Sequence, residues 1–438
     1  MKSLLASDIV VDTGLKSTVV ESSYCVFFEC IIVAMIPRKL FEKILPAELL
    51  DQLAQAHNVD AANQVRLPGK LVFLCLLHTV FYHKDITQRL LEETYTQHTG
   101  RHADHSSFGK RLAAIKPVYF ESIFRTLFDQ LAPEATEIQK RTLHLRFVDA
   151  TIVTLSAKLL HFGLLVATCS KDKARRYVKS VIELDERRPN FLHLCKDPAE
   201  NADSVALGET MARHTQAGDL WVFDKGCDSR QRLLDLHTLG AFFMTPLGKQ
   251  GIHVTHVVWE APADMLPTDP PAPNAARFVV ERVETGVFAN SQVKQNAQWR
   301  VMPLVLVHGR RFDARTQTWK ALTLVTNLAV RSGALIGPYT FAEIGEVYAR
   351  RWEIEVFFKF VKQHLNFSHL TSRSENGIRV MIYMSLIAAL LLLWYQRQTK
   401  IDRGWRSVKS WLAYDVRTWL TDAFTETFAG LCIRHPCL

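Results

Sequence analysis

The chain has 438 residues, of which 48% are hydrophobic and 22% are charged. This length exceeds what one hydrophobic core usually organises, so we expect two or three domains, and the near-average composition excludes a disordered protein. The formal net charge of +9 favours an anionic partner such as nucleic acid, although many basic proteins bind none. The eight cysteines form no CxxC pair and no Cys/His cluster at zinc spacing, which predicts reduced thiols and a cytoplasmic protein.

The chain opens with an extension that a helical domain follows. Residues 1–34 carry an apolar patch, but Glu21 and Glu29 interrupt it and no small-residue cleavage site follows, so we do not expect a signal peptide. Met35 opens a conventional start, which suggests that residues 1–34 extend the reading frame upstream. Residues 35–135 are rich in helix formers with apolar residues at spacings of three and four, and they predict an all-helical domain.

A basic helical hairpin inside this domain is a candidate DNA reader. The segment DITQRLLEETYTQHTGRHADHSSFGKRLAAI holds two helical stretches around a polar break, with Ser106 or Ser107 as the expected cap of the second helix. A helix-turn-helix motif has this form, and it would place Lys110 and Arg111 against DNA. An ordinary helical hairpin with a solvated basic face fits the pattern equally well.

From Leu143 onward the pattern takes the period of β-strands. LHLRFVDATIVTL, RRYVKSVIEL, DLWVFDKGC and AFFMTPL predict strands, and a helical stretch between the second and the third indicates an α/β fold. Residues 252–328 add further strand-like runs around a Pro-rich loop and predict a β-rich insertion. A long helix, TFAEIGEVYARRWEIEVFFKFVKQHL, and an apolar helix near 380–395 follow. The apolar run is shorter than the roughly 20 residues that span a membrane, so we expect a buried core helix.

Two aspartates end apolar strands of the predicted sheet. Asp149 follows LRFV and Asp224 follows LWVF, with Gly226 placed where the backbone can turn sharply. Because Asp is common in turns, each of the two alone is explained as a strand-end turn residue. Two such carboxylates in one sheet could also hold divalent cations between them.

The long predicted helix carries a polar stripe. Arg351, Glu355 and Lys362 follow Tyr348 by 3, 7 and 14 residues, which brings all four onto one face of an α-helix. Apolar residues flank this face on both sides, whereas a solvated charged face should point away from them. We therefore predict that the stripe faces a cleft. The alternatives are surface ion pairs for Arg351 and Lys362 and core packing for Tyr348.

The segment YARRWEIEVFFKFVK resembles the YREK signature of bacterial insertion-sequence DDE transposases, in the family numbered four, with Tyr, Arg, Glu and Lys at the same spacing. The resemblance extends over residues 140–400. It implies a ribonuclease-H-like catalytic core with the β-rich insertion at about 250–330, preceded by the helical DNA-binding domain and followed by a C-terminal helical segment at 401–438. The DKGC segment departs from the family, which more often has Arg or Tyr near the second Asp.

The resemblance also implies roles for the residues of the stripe and of the strand ends. The catalytic acids and metal ligands would be Asp149, Asp224 and Glu355. The DNA contacts near the reacting phosphate would be Tyr348, Arg351 and Lys362. Mg²⁺, with Mn²⁺ as a substitute, is the cofactor expected for such a set of carboxylates.

The activity that the resemblance implies is DNA transposition, in which water frees a 3′-OH at the element's end and that 3′-OH later attacks target DNA. The implied partners are double-stranded DNA, as element ends and as target, and a second copy of the chain in the DNA complex, with no membrane. The protein would be a cytoplasmic bacterial enzyme, associated with the nucleoid when bound to DNA. Two other classes remain open: a metal-dependent nuclease or resolvase on the same fold, and a non-catalytic DNA-binding relative, although the intact motif argues against decay.

Overall fold

The structure is a computed structural model. It describes residues 41–60, 67–131, 143–154, 164–165, 176–185, 187–195, 203–225, 229–247, 251–262, 267, 269–271, 277–288, 302–332, 335–368, 370–400 and 404–434. The extension expected at residues 1–34 and Gly226 lie outside these described residues.

The described elements are helices in the two terminal regions and a strand-rich region between them. The helices are α1 (Ala47–Ala56), α2 (Gly69–Tyr82), α3 (Gln88–Thr99), α4 (His105–Ala114), α5 (Pro117–Gln130), α6 (Asp203–His214), α7 (Arg230–Thr238), α8 (Phe341–Ala349), α9 (Trp352–His364), α10 (Glu375–Thr399) and α11 (Trp405–Arg434). The strands are β1 (His144–Thr154), β2 (Leu164–Leu165), β3 (Arg176–Asp185), β4 (Arg188–Cys195), β5 (Asp219–Val222), β6 (Phe242–Pro246), β7 (Ile252–Glu260), β8 (Phe278–Phe288), β9 (Leu304–Asp313), β10 (Thr318–Thr326), β11 (Val330–Arg331), β12 (Leu335–Ile336) and β13 (Tyr339–Thr340).

Helices from both regions share one hydrophobic core. Helix α10 packs against α2, α4 and α5, and α11 packs against α2 and α3. The ring of Phe41 lies 5.3 Å from that of Trp394 in α10 and 6.0 Å from that of Trp419 in α11, measured between centroids. Because these apolar surfaces leave water together, the helices stabilise one another as a bundle.

Helix α10 contains the apolar run that was expected to be a buried core helix. It is the one described helix long and apolar enough to cross a membrane, and 94% of its most apolar window is buried inside the protein. Every residue from Val380 to Tyr395 is buried. The expectation of a core helix is therefore confirmed.

The connection between α3 and α4 differs from the expected cap. Helix α3 ends at Gly100, whose φ of 68° lies in the left-handed region that glycine tolerates. Helix α4 begins after Asp104, whose Oδ1 accepts a hydrogen bond from the Ser106 N–H at 2.7 Å. Ser106 and Ser107, the expected caps, therefore lie in the first turn of the helix. A carboxylate suits this position because it also offsets the positive end of the helix dipole.

The described strands form a mixed sheet of ten strands and a small antiparallel sheet of β11, β12 and β13. The order of the large sheet is β2-β3-β1-β5-β6-β10-β9-β8-β7, with β4 pairing with β3. Strands β1, β5 and β6 are parallel to one another, whereas the other pairs are antiparallel. The strand-like runs at 252–328 form β7 to β10, and they extend the same sheet through the pairing of β10 with β6. The α/β fold class is confirmed.

The predicted long helix is divided into α8 and α9. Between them, the N–H of Arg351 bonds to the carbonyl of Tyr348 at 3.0 Å, and the N–H of Glu353 bonds to that of Arg350 at 2.8 Å. These bonds span three residues instead of four, which tightens the chain for one turn. The prediction of one uninterrupted helix is wrong at this point, and Glu355 lies in the first turn of α9.

Candidate active site

Asp149 and Asp224 are brought together by the parallel pairing of their strands. Phe147 in β1 lies opposite Val222 in β5. Asp149 and Asp224 each follow two residues later, so they lie at equivalent positions along the two neighbouring segments. Asp149 is half-buried and its Oδ1 accepts from the N–H of Ala150 at 2.8 Å, while Asp224 is exposed. Adjacent parallel strands lie about 4.8 Å apart, so the two carboxylates can share one cation-sized space.

The position of Asp149 within its strand differs from the expectation. Strand β1 continues beyond Asp149 to Thr154, because β3 continues to pair with it, and Asp149 lies opposite Ile182. Strand β5 ends at Val222, just before Asp224. Asp149 is therefore a mid-strand residue at the point where its parallel neighbour stops, and only Asp224 follows a strand end.

Arg351 connects the acid of α9 to the sheet. Its Nη1 lies 2.8 Å from the Oε1 of Glu355, and its side chain is only 7% exposed, whereas that of Glu355 is 34% exposed. Burial alone lowers the pKa of the guanidinium, but Tyr348, Asp224 and Glu355 together raise it above its ordinary value. Arg351 thus lies in the field of two of the three predicted acids.

Tyr348 and Lys362 complete the group. Burial raises the pKa of the Tyr348 hydroxyl, while Arg351 opposes that rise and Asp224 adds to it. Burial lowers the pKa of the half-buried Lys362 ammonium, and Asp149 opposes that change. The electrostatic neighbours of these side chains therefore include both aspartates, so the structure gathers the sequence-predicted residues of the strands and of the YREK motif in one region.

The three acids suit a divalent cation by their chemistry, but their oxygens are not drawn tightly together. Within the described residues, the one set of three metal-ligating side chains whose donor atoms all lie within 4.8 Å consists of Glu92, His102 and Asp104, in the helical bundle. Carboxylates repel one another when no cation lies between them, and Arg351 neutralises Glu355 in the structure. The donor set of three carboxylates without thiols fits Mg²⁺ or Mn²⁺.

Lys110 and Arg111, the predicted DNA contacts of α4, differ in their surroundings. Lys110 is exposed. Arg111 is buried: its Nε donates to the carbonyl of Leu67 at 2.8 Å, and its Nη2 forms an ion pair with Asp60. Because these partners occupy the guanidinium inside the bundle, the predicted DNA contact of Arg111 does not fit the structure and is withdrawn.

A groove of about 1050 Å³ adjoins the motif and was not found from the sequence. Its lining includes Arg277, Arg311, Tyr348, Arg350 and Trp352. The guanidinium of Arg311 lies 5.8 Å from the ring centroid of Trp352, whose side chain is 46% exposed. From the sequence, Trp352 is only an apolar residue beside the polar stripe. Its contact with Arg311 of β9 is set by tertiary packing, which the local pattern does not encode. Guanidinium groups beside an exposed indole suit phosphates and bases.

One family model matches more than half of the chain, and the relatives found with it are described as transposases. Residues 143–391 match the sequence model of the family described as the transposase DDE domain. A protein of Synechocystis sp. described as a transposase for insertion sequence element IS4SA is 42% identical over 69 residues, which are 16% of this chain and 20% of that relative. A protein of Geobacillus stearothermophilus described as a transposase for insertion sequence element IS5377 is 42% identical over 57 residues, 13% of this chain and 15% of the relative.

Two longer matches are more distant. The transposase y4zB of Sinorhizobium fredii is 23% identical over 278 residues, which are 62% of this chain and 67% of that protein. Among solved structures, the piggyBac transposase in a synaptic complex with hairpin DNA aligns with a TM-score of 0.41 and 9% identity, over 90% of this chain and 85% of the other. The matches to the Synechocystis and Geobacillus relatives, in contrast, span a fifth or less of the length of those proteins.

Proposed function

Because the chain belongs to the family of transposase DDE domains, whose sequence model matches more than half of it, we propose that it is an insertion-sequence transposase. It cleaves DNA at the ends of its element and joins the 3′-OH ends to target DNA. The observation that carries this proposal is the parallel register of β1 and β5, which sets Asp149 beside Asp224 next to the helix that bears Glu355. The assignment to the insertion-sequence family numbered four rests on the YREK spacing alone and is part of the proposal.

The reaction consists of two exchanges at phosphorus. In the first, water attacks the phosphodiester, the bond from phosphorus to the 3′ oxygen breaks, and a 3′-OH and a 5′-phosphate result. In the second, that 3′-OH attacks a phosphodiester of target DNA and releases a 3′-OH of the target. In the second exchange, one phosphodiester bond forms as one breaks, so the joining step needs no external energy source and no covalent enzyme intermediate.

Asp149, Asp224 and Glu355 are the proposed ligands of Mg²⁺, with Mn²⁺ as a substitute. A bound divalent cation supplies Lewis-acid stabilisation of the reacting phosphate and activation of the attacking hydroxyl. The role of the protein is to hold the three carboxylates in place. For Asp149 and Asp224, hydrogen bonds from Ala150 N–H and Lys225 N–H, each 2.8 Å long, fix one oxygen of each carboxylate.

Tyr348, Arg351 and Lys362 are the proposed contacts to DNA phosphates. Arg351 offers a planar fork that can exchange Glu355 for a phosphate when cations neutralise the acid. Lys362 offers a point charge beside Asp149. Because its ammonium is half-buried, it has fewer bound waters to lose when an anion binds. Lys110, exposed on α4, is the proposed contact of the helical region with the element's end.

The proposed division of the chain follows from these roles. A ribonuclease-H-like catalytic domain would cover residues 140–400, and its support is the strand order β4-β3-β1-β5-β6 with β1, β5 and β6 parallel. The strands β7 to β10 would form its insertion at about 250–330, residues 35–135 the DNA-binding domain, and residues 401–438 a C-terminal helical segment. Duplex DNA, a second copy of the chain in the DNA complex, and a cytoplasmic location complete the proposal.

The test is a strand-transfer assay with a duplex that carries the element's end. A pre-cleaved duplex with a free 3′-OH, a supercoiled target plasmid and Mg²⁺ should yield joined products with the wild-type protein. A nuclease on the same fold would cut an uncleaved duplex but would not join the pre-cleaved one. A non-catalytic relative would bind both duplexes and alter neither.

A further inference from the structure

Four metal-ligating side chains cluster around the connection between α3 and α4, far from the proposed triad in the sequence. They are Glu92 in α3, His102 in the connection, Asp104 at the cap of α4, and His105 at its first residue. The donor atoms of Glu92, His102 and Asp104 all lie within 4.8 Å of one another. Among the described residues, no other set of three metal-ligating side chains is drawn together so closely. The proposed reaction uses none of its members.

The carboxylate of Glu92 lies between the two imidazoles. Its Oε1 is 3.4 Å from the Nδ1 of His102, and its Oε2 is 3.5 Å from the Nδ1 of His105. The Nδ1 of His105 is also 3.4 Å from the Oδ2 of Asp104. Glu92, His102 and Asp104 therefore bring three donors close together, and His105 adjoins them through its contacts with Glu92 and Asp104.

The backbone holds the two carboxylates in this arrangement. The N–H of His105 donates to the Oε2 of Glu92 at 3.1 Å, and the N–H of Ser106 donates to the Oδ1 of Asp104 at 2.7 Å. These bonds use one oxygen of each acid and leave the Oε1 of Glu92 and the Oδ2 of Asp104 directed towards the imidazole nitrogens. Preorganised ligands of this kind lose little conformational entropy when an ion binds.

We propose that Glu92, His102, Asp104 and His105 form a binding site for a first-row transition metal ion of the zinc type. Neutral imidazole nitrogen and carboxylate oxygen are both common zinc ligands, and four of them complete a tetrahedral shell. Mg²⁺ is a poorer occupant, because it prefers an octahedral shell of oxygens. The side chains are accessible to an entering ion, since those of His102 and His105 are 68% and 44% exposed.

The ion would link two helices of the bundle. Glu92 lies in the middle of α3, whereas Asp104 and His105 begin α4, so a shared ion would close the turn that starts at Gly100. The two hydrogen bonds given above and the packing of Tyr95 against Phe108, whose ring centroids are 6.0 Å apart, also hold the connection. The metal site stands independently of the proposed DNA chemistry, because none of its ligands belongs to the triad.

The experiment is a calorimetric titration of chelator-stripped, full-length protein with Zn²⁺ in the presence of excess Mg²⁺. A Glu355→Gln background removes one proposed ligand of the catalytic site and so weakens its competition for the ion. We expect one Zn²⁺ per chain, and His102→Ala or His105→Ala should each weaken binding on the order of tenfold or more, as losses in metal shells do. Glu92→Gln should weaken it as well, whereas Glu93→Gln, the exposed neighbour outside the cluster, should not.

A second readout starts from the wild-type protein, where no substitution can disturb folding. Co²⁺ added to the wild-type protein should produce visible absorption bands of a nitrogen- and oxygen-ligated ion, and Zn²⁺ should displace them. His256→Ala, which removes an exposed histidine of β7, should retain both the bands and the Zn²⁺ affinity. Absence of Co²⁺ bands in the wild-type protein, or equal Zn²⁺ affinity in the wild type and the His102→Ala/His105→Ala double variant, would overturn the site and reduce the cluster to surface ion pairs.

Discussion

At the scale of single residues, Arg351 organises the charges of the candidate site. It is buried, it is paired with Glu355, and its pKa is raised partly by Asp224. In the structure, the guanidinium therefore supplies a positive charge that interacts with two of the acids. A phosphate contact by Arg351 requires that a cation take over the neutralisation of Glu355, which couples metal binding to DNA binding.

The phosphate contacts predict a change in salt dependence. Arg351→Ala and Lys362→Ala should each flatten the slope of log affinity against log salt by about 0.9 on duplex DNA, because one neutralised phosphate contributes that amount. Fluorescence anisotropy with an element-end duplex over a salt series measures the slope. Arg351→Lys should remain impaired, because a point charge does not reproduce a two-pronged contact.

The matched control for these variants is Lys359→Ala, which removes an exposed lysine of α9 outside the motif. Its slope should equal that of the wild type. If Arg351→Ala and Lys362→Ala also kept the wild-type slope, the polar stripe would be a structural face and the phosphate contacts would be wrong.

Single residues also mark where reasoning from the sequence fails. The spacing of the YREK motif located Arg351 and Glu355 correctly relative to each other, since residues four apart on a helix are neighbours. Arg111 was placed on a DNA-facing surface because its own helix is basic. Its burial depends on Asp60, 51 residues earlier in the chain, and no local pattern encodes that partner.

At the scale of elements, the strands were largely predictable and their pairing was not. Alternating apolar residues identified β1, β3, β5 and β6, and the runs at 252–328 proved to be β7 to β10. The register that aligns Asp149 with Asp224 depends on pairing between segments about 75 residues apart, a separation set by non-local contacts. The break between α8 and α9 was missed because helix periodicity continues through it almost unchanged.

A charged network at the first residue of β1 predicts a pH dependence of stability. His144 bonds through Nε2 to Asp185 at 2.7 Å and through Nδ1 to Asp219 at 2.9 Å. The hydrogen bonds to Asp185 and then to Asp219 raise the pKa of its imidazole to about 9. A folded-state pKa above the unfolded value of about 6.5 means that the protonated imidazole stabilises the fold most fully below pH 6.5. This stabilisation is lost as the pH rises through 9.

His144→Asn should therefore lower the free energy of unfolding more at pH 6 than at pH 10. Urea unfolding of both proteins at the two pH values gives the comparison, with His256→Ala in exposed β7 as the control that should change little at either. An equal loss at both pH values would assign His144 a packing role instead of an ionic one.

At the scale of the whole molecule, helices of the N-terminal and C-terminal regions pack in one hydrophobic core. The sequence predicted helices in both regions but not their packing against each other, because apolar periodicity identifies a buried face without identifying what covers it. In the structure, α11 buries Val408, Leu412 and Phe424 in the core that α2 and α3 share.

Truncation after residue 403 tests this shared core. Removal of α11 should expose the apolar faces of α2 and α3, and it should lower the thermal midpoint of the helical signal or make the protein aggregate. Circular dichroism melting of the full and the truncated chain measures the change. An unchanged midpoint would mean that residues 404–434 form an independent segment.

The central claim is that Asp149, Asp224 and Glu355 form one metal-dependent site for DNA cleavage and joining. Its most direct test is the joining of a pre-cleaved 3′-OH element end to target DNA by the wild type and by Asp149→Asn, Asp224→Asn and Glu355→Gln. Each substitution removes a ligand charge with little change of shape, so each should abolish joining while end binding persists, and Asp235→Asn on exposed α7 should join normally. Joining by the wild type should require Mg²⁺ or Mn²⁺. Wild-type joining by any of the three variants, or joining in EDTA, would contradict the claim.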